Sequence, residues 1–328
     1  MNTLICGSFG FIGFNFAKDA LNKNKDVILL DSLNNRCSEI NFNETSESVH
    51  KVKLDINQVN IDFIKKNKIT KIINFAAESH VDNSISNPKS FIHSNIVGFE
   101  NLLRCSIQSE ISEFLHISTD EVYGSYLSDF ANEEFKLKPS SPYSATKASA
   151  DLIGLSYRNT YGLDLKIIRP ANNYGIYQQP EKLIPFSIIS ILNGKKIELY
   201  GDGKNIRHWL HVDDTVDGVN HVLEFGKGGE IYNIGSGEYL SNIEIAQKIL
   251  STLNLEFDDN VDFIEDRPGH DFRYAVDFSK LTDLKWKPKK NVDSEIDKVI
   301  NWYKDNVDWW SNNYKKTIES RKSRLNIK

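Results

Sequence analysis

The sequence predicts an α/β fold in which helices wind both faces of a parallel sheet, followed by a smaller α+β region, and two observations carry that prediction. Short β-rich runs alternate with segments of 3.6-residue apolar periodicity through the first half of the chain, and a glycine-rich turn joins the first run to the first periodic segment. The runs at 3–6, 27–30, 49–54, 71–76 and 113–118 read as buried strands. Between them, 61–68 and 91–107 carry apolar residues at helical spacing, with Asn87-Pro88 as a helix start. Strands separated by crossover helices pair in parallel, which covers both faces of the sheet. A sixth run at 165–168 ends at Arg169-Pro170, after which Gly, Pro and Asn cluster, so a domain boundary is expected near residue 170.

Beyond that boundary the spacing predicts a helix over 183–192, strands at 197–200 and 231–234, and helices over 242–253 and 294–306. This second domain runs over 171–310. After Trp310 the chain carries Lys315, Lys316, Arg321, Lys322, Arg324 and Lys328 against a single acid, Glu319, and 311–328 is expected to be a basic, flexible tail.

Composition narrows the function. The 328 residues are 40% hydrophobic and 26% charged, ordinary for a globular protein of one large or two smaller domains. Forty basic against 45 acidic side chains leave a net charge of −5, which supplies no field for nucleic acid or an anionic membrane, and neither is expected as a partner. No run approaches the ~18 apolar residues of a membrane span. Cys6, Cys37 and Cys105 are scattered and lack C-x-x-C spacing, which argues against a disulfide framework and for a reducing compartment. The N-terminus has no basic region ahead of its apolar stretch, so a cytoplasmic location is expected rather than secretion.

Gly7, Gly10 and Gly13 follow the first strand and open a helix, the G-x-x-G-x-x-G spacing of a Rossmann-type dinucleotide turn. Glycine there lets the chain turn tightly and brings backbone N–H groups up to a pyrophosphate. Asp31 closes the second strand, where a carboxylate accepts both ribose hydroxyls and repels a 2′-phosphate, so NAD is expected rather than NADP. The competing reading of Asp31 is a turn-initiating aspartate. Asp55-Ile56, after the third strand, is consistent with an adenine contact or with a plain loop.

Tyr143 and Lys147 stand four apart in SPYSATKASADLIG, on one face of a predicted helix, where an ammonium favours a phenolate that can act as a base. Thr119-Asp120-Glu121 follows the fifth strand at the carboxyl edge of the sheet, where ligands of open α/β folds bind. Hydride transfer alone needs no acid pair. Two carboxylates beside it suggest a second reaction, proton abstraction next to a new carbonyl with a protonated leaving group.

Together, ICGSFGFIG, FAAESHVDNSI (75–85), STDEVYG (118–124), PYSATKA (142–148), NNYGIYQQPEKLIP (172–185) and EDRPGHDFRYA (265–275) resemble the nucleoside-diphosphate-glucose 4,6-dehydratases, extended short-chain dehydrogenase/reductases best known for the dTDP-glucose enzyme. The resemblance runs from about residue 2 to Trp310. It implies a Rossmann-type NAD domain with a smaller α+β substrate-binding domain, and 4,6-dehydration of dTDP-glucose or UDP-glucose, a hydro-lyase step toward rhamnose or other deoxysugars. By the resemblance Tyr143 takes the 4-hydroxyl proton, Lys147 holds the phenolate and the nicotinamide ribose, and Thr119 bonds the 4-oxygen. Glu121 removes the C5 hydrogen and Asp120 protonates the departing 6-hydroxyl.

Further cofactor contacts implied are Phe11, Ile12, Ser32, Leu33, Asn34, Asp55, Ile56, Phe75, Ala76, Ala77, Ser79, Ser94 and Asn173. Substrate contacts implied are Ser79, Thr119, Asn172, Lys182, Leu183, Glu198, Tyr200, Arg207, Asn242, Arg267 and His270, with the two arginines suited to a diphosphate as forked donors. The family also implies a homodimer through 91–107 and 144–161. Departures are Cys6 where threonine is usual, His208 where aspartate is common, and Ala171 ahead of the paired asparagines; they bear on nucleotide fit rather than on the sugar chemistry. His208 and His211 are expected to share a helical face but supply too few ligands for a metal, and none is expected. A UDP-hexose 4-epimerase would share the fold, NAD and Tyr143/Lys147 without a use for Asp120 and Glu121, and a non-enzymatic NAD-sensing module is the reading from another class.

Overall fold

The computed structural model describes residues 2–126, 128–266 and 269–325. Strands β1 (Asn2–Cys6), β2 (Val27–Asp31), β3 (Lys51–Lys53), β4 (Ile69–Asn74), β5 (Glu113–Ile117) and β6 (Leu165–Pro170) pair in parallel in the order β6-β5-β4-β1-β2-β3. The register sets Ile5 beside Ile73 and Ile73 beside Leu115. Side-chain alternation in these strands sorts their apolar residues into two cores. Leu4, Cys6, Ile28, Leu30, Ile72, Phe114 and Ile167 pack on one face of the sheet, and Ile5, Leu29, Ile73, Leu115 and Ile168 on the other. A strand covered on both faces must be apolar at odd and even positions alike, which is why these runs lack a polar stripe. Each such side chain contributes roughly 1.5–3 kcal/mol on burial.

Strands β7 (Asn172–Tyr174), β8 (Ile197–Tyr200) and β9 (Ile206–His211) leave this sheet, and β10 (Ile231–Ile234) returns to pair in parallel with β6 as the seventh strand. In the second lobe β9 lies between β7 and β11 (Tyr239–Ser241), and β8 pairs with β12 (Val261–Ile264). The core of this lobe is built from Leu183–Leu192, Asn242–Thr252 and Val292–Asp305, with Ile188, Ile245, Ile249, Ile296 and Ile300 fully buried or nearly so.

Four expectations are corrected. The boundary near residue 170 does not divide the chain cleanly, because β10 completes the main sheet and the helix Val212–Phe225 packs on the helix Phe11–Asn22; without β10 the hydrogen-bonding edge of β6 would be bare. The segment 311–328 is not a flexible tail through Leu325: the helix Val307–Leu325 buries Trp309, Trp310 and Tyr314. Trp310, Tyr314 and Ile318 recur every four residues, a helical stripe masked by the basic composition around it. The single helix expected over 91–107 is three pieces, Pro88–Ile92, a π-helical turn His93–Gly98, and Phe99–Gln108. Asn95 in that turn bonds the Glu78 backbone and Thr146, contacts a regular helix would not aim. Finally, His208 and His211 lie on strand β9 and share no helical face; His208 Nε2 accepts from the backbone N–H of Ser236 and Gly237 at 2.8 Å each.

Candidate active site

The chain leaves β1 into Gly7 at φ +71°, and a Cβ there would sit 2.5 Å from the Ala76 nitrogen. One at Gly13 would sit 2.1 Å from the Gly7 oxygen, so helix and strand approach as only glycine allows. Gly10 caps the helix Phe11–Asn22 with no side-chain acceptor and no acid in the first turn. The first-turn N–H groups thus face a cavity of about 500 Å³ as an anion cradle, which fits a dinucleotide pyrophosphate.

Gly7, Gly10, Phe11, Ile12, Gly13 and Asn34 line that cavity, joined by Phe75, Ala77, Ser79, Tyr143 and Lys147. Other expected cofactor residues stand behind or beside the wall. Asp31 is 8% exposed, and its two oxygens accept from the N–H of Phe9 at 3.0 Å and Leu33 at 2.8 Å, so part of its capacity holds the turn. Burial raises its pKa and those backbone bonds oppose the rise. Ser32 and Leu33 continue from it, Leu33 buried at φ +57°. Asp55 caps the short turn Ile56–Gln58 and accepts from Asn57 N at 2.8 Å. Ile56 is buried under Gly98, and Ser94 is half-buried in the π-helical turn. Ala76 donates its N–H to Asn74 Oδ1 at 3.1 Å. The Asn173 side chain bonds Ala171 O and Thr215 Oγ1, and Asn173 borders a second cavity instead.

The second cavity, about 160 Å³, adjoins the first: His80, Gln178, Glu181 and Lys182 line both. Its walls hold Glu121 and the expected substrate residues Asn172, Lys182, Leu183, Glu198, Tyr200, Arg207, Asn242 and His270. Lys182 Nζ bonds Ser79 O at 2.7 Å, tying the two cavities together. The Arg207 guanidinium is held by the Asp271 carbonyl at 3.0 Å and lies over the Tyr274 ring. His270 Nδ1 meets Asp266 Oδ1 at 2.6 Å. Arg267 lies outside the described residues.

The reacting groups are divided between the adjoining cavities: Tyr143 and Lys147 line the first and Glu121 the second, with Thr119 and Asp120 next to Glu121 in the chain. Ser141 caps the helix Pro142–Tyr161 with Pro142 in its first turn, which puts Tyr143 and Lys147 one turn apart on its buried face. Lys147 Nζ donates to the Ile117 carbonyl at 2.7 Å and lies 3.2 Å from His116 Nε2. Burial holds this ammonium down at about 8, opposed by Asp151. Burial and the Glu121 carboxylate push the Tyr143 phenol up, while a hydrogen bond with Thr119 pulls it down. Thr119 also caps the turn Asp120–Tyr123, accepting from Glu121 N.

Asp120 is 2% exposed, and its Oδ2 has no hydrogen-bond partner among the described residues. Burial first, then Glu121, raises its pKa well above the carboxylate range, with Arg207 opposing. A buried acid of raised pKa beside a half-buried, cavity-lining carboxylate is the division of labour a general acid and a general base require. Asn172 Oδ1, of a residue on the wall of the second cavity, is likewise buried without a partner among the described residues.

A family model described as GDP-mannose 4,6 dehydratase matches residues 4–299. The dTDP-glucose 4,6-dehydratase of Streptomyces antibioticus is 39% identical over 318 residues, covering 94% of each chain. The chain belongs to the nucleotide-sugar 4,6-dehydratase family. Among solved structures, the dTDP-glucose 4,6-dehydratase DesIV of Streptomyces venezuelae, determined with NAD bound, superposes with a TM-score of 0.90 at 38% identity, over 95% of this chain and 100% of that one. The UDP-glucuronic acid 4-epimerase of Bacillus cereus reaches a TM-score of 0.87 at 24% identity, over 93% and 99% of the two chains, a likeness of fold alone.

Sequence reasoning missed several residues that line this dehydratase-family site. Glu181 follows Pro180 between two motif residues and reads as a loop acid; burial raises its pKa, with Lys182 opposing. His80, Asp82, Gln178 and Tyr274 sit inside the quoted motifs, where position alone marked them. Asn313, Lys316 and Thr317 border the first cavity and Arg321 the second, all on the helix that had been expected to be a loose tail.

Proposed function

We propose that this protein catalyses NAD-dependent 4,6-dehydration of a nucleoside-diphosphate-glucose, releasing water and leaving the 4-keto-6-deoxy sugar nucleotide. The single observation that carries the reading is the buried Asp120 carboxyl, its Oδ2 without a hydrogen-bond partner among the described residues, next to Glu121 on the wall of the second cavity, which adjoins the cavity that Tyr143 and Lys147 border. The glycine cradle would hold the pyrophosphate and Asp31 the adenosine ribose, with room at Tyr143 and Lys147 for the nicotinamide end. Bound NAD supplies one capability, taking a hydride from C4 of the sugar and returning it to C6.

The chain's own groups do the proton work. Tyr143 as phenolate removes the 4-hydroxyl proton, and Lys147, fixed on Ile117 and His116 one turn along the same helix, would supply positive charge that favours the phenolate. Thr119 donates to the resulting 4-oxygen. A carbonyl at C4 acidifies C5; Glu121 takes that proton and, once C6 has been reduced, returns one to C5. Burial and Glu121 raise the Asp120 pKa, which favours the protonated acid that donates to the 6-hydroxyl as it leaves. Arg207 and the Asn172 carboxamide hold the nucleotide and sugar.

Incubation of the purified protein with dTDP-glucose and with UDP-glucose tests the reading: the alkali-induced absorbance of a 4-keto sugar is expected with at least one of them. Conversion to the galactose nucleotide without that absorbance overturns it in favour of an epimerase. The ratio of the two rates sets the nucleotide preference.

Two further points belong to this reading. A homodimer through the helices Pro88–Ile92 to Phe99–Gln108 and Pro142–Tyr161 is supported by the exposed Ile92, Val97, Leu152 and Tyr161 on those segments. A cytoplasmic location is supported by three buried, unbridged cysteines, while no helix among the described residues is long and apolar enough to cross a membrane.

A further inference from the structure

The C-terminal helix Val307–Leu325 lies beyond the residues the family model matches and is seated on both halves of the molecule. Trp309 Nε1 donates to Asn41 Oδ1 at 2.7 Å and Asn313 Nδ2 to Gln179 Oε1 at 3.2 Å, while Tyr314 packs on Phe186 and bonds Ser190 in the second lobe. One turn beyond Thr317, which borders the cofactor cavity, Arg321 reaches the wall of the substrate cavity. Its side chain is 13% exposed, its guanidinium lies 3.7 Å from the centre of the Phe186 ring and 5.6 Å from that of Tyr200, and its Nη1 donates to Glu198 Oε2 at 3.0 Å. Stacked on one face and tethered at one nitrogen, the group is fixed in orientation before any ligand arrives.

On the dehydration reading the reacting hexose lies against Glu121, on the wall of the second cavity. The remainder of a nucleotide sugar then occupies the rest of the second cavity, whose wall includes Glu198, Tyr200, Arg207 and Arg321. We propose that Arg321 is a substrate-binding residue of this enzyme, donating from its guanidinium to the nucleoside diphosphate portion of the nucleotide sugar. The helix that carries it is then part of the active site rather than an appendage. The placement of the nucleotide sugar rests on the dehydration reading, while binding of a nucleoside diphosphate at Arg321 is measured separately from turnover.

The test uses full-length wild type and Arg321→Met, which keeps an apolar chain over Phe186 while removing the donor. Binding of UDP, dTDP and NAD is titrated calorimetrically, and turnover is followed by 4-keto sugar formation. The expected result is a loss of nucleoside diphosphate affinity of roughly 10- to 100-fold, the scale of a charge-assisted hydrogen bond. The same factor should appear in KM rather than kcat, with NAD affinity unchanged. Unchanged nucleotide affinity overturns the proposal. So does an equal fall in nucleotide and NAD affinity, which would mean that Arg321 only seats the helix and with it Lys316 and Thr317. If Arg321→Met does not fold, Arg321→Lys, which keeps the charge and loses the fork, is expected to show a smaller loss, and wild-type affinity there also overturns the proposal. A wild-type protein that binds nucleoside diphosphate through Arg321 yet forms no keto sugar would sink the dehydration reading and leave this site standing.

Discussion

The ammonium nitrogen of Lys147 lies 3.2 Å from Nε2 of His116, a neutral imidazole buried beneath it on β5. Burial and the Lys147 charge hold His116 well below its ordinary pKa, so the ring can accept from the ammonium and cannot compete with it for charge. With Nε2 accepting, the other ring nitrogen carries the proton and does not accept from Asn74 Nδ2, 3.2 Å away, while Asn74 Oδ1 accepts the Ala76 N–H. Replacing His116 by Leu removes an acceptor that favours the charged lysine. The Lys147 pKa should fall further, and the alkaline limb of the kcat/KM profile should move to lower pH. A limb that stays in place would mean that His116 only fills space.

Lys147 itself is held at a cost to stability. Its folded pKa, about 8, lies below the ordinary 10.5, so the native state binds this proton more weakly than the unfolded chain does. Below pH 8 the charge opposes folding by about 3 kcal/mol, and the penalty is relieved as pH rises from 8 toward 10.5. Lys147→Met escapes it but orphans the Ile117 carbonyl, a loss of about 2 kcal/mol. The variant should be more stable than wild type by on the order of 1 kcal/mol at pH 7 in urea unfolding, while turnover falls at least ~100-fold. A clear loss of stability would contradict this balance.

Asp120 and Glu121 should separate under amide substitution. Glu121→Gln should bind nucleotide sugar yet lose exchange of the C5 hydrogen with deuterated solvent; undiminished exchange would remove Glu121 as the base. Asp120→Asn should slow water loss by ~10²–10⁴-fold while oxidation at C4 survives, seen as NADH absorbance accumulating on the enzyme. Normal turnover without that absorbance would place the acid elsewhere. Since the folded pKa of Asp120 is raised, its contribution to stability is intact at low pH and lost as pH rises toward the folded value. Asp120→Asn should therefore flatten that part of the stability profile.

Arg169 and Asp151 form an ion pair at 2.8 Å, 2% and 0% exposed, with Arg169 also donating to the Tyr123 hydroxyl. Asp151→Ala strands the guanidinium in the core and should cost about 3–5 kcal/mol. It should also deepen the depression of Lys147, which Asp151 opposes. Chemical denaturation reads the first effect, and a cost under about 1 kcal/mol would show that water reaches the site.

Gly13→Ala places a Cβ 2.1 Å from the Gly7 carbonyl oxygen, so the turn must open. NAD affinity should fall more than tenfold, with a loss of thermal stability. Gly162→Ala, where a Cβ meets nothing within 4 Å, should show only backbone strain from its φ of +73° and leave NAD affinity intact. Equal NAD affinities for the two variants would remove the cradle argument.

Fold and site were legible to different degrees. The helix Leu183–Leu192 and the strands Ile197–Tyr200 and Ile231–Ile234 coincide with their expected limits, because apolar period and turn residues agree there. The sheet to which Ile231–Ile234 belongs was not legible, since pairing with β6 is a contact across more than sixty residues that no local pattern carries. Asp120 and Glu121 were visible as an acid pair at a strand end, but their difference in environment arises from burial and from Arg207, far away in sequence. Arg321 was hidden by its neighbours: a run of basic residues reads as solvent-exposed until Trp310, Tyr314 and Ile318 are seen to form a stripe.

The return of β10 to the edge of β6 has a consequence for biosynthesis. A chain emerging from the ribosome cannot close its cofactor-binding sheet until residue 234 has left the exit tunnel, and the helix bearing Arg321 is made later still. The nascent protein therefore carries an open sheet margin through the synthesis of β7, β8 and β9, and gains its full substrate cavity only once the helix bearing Arg321 has also emerged.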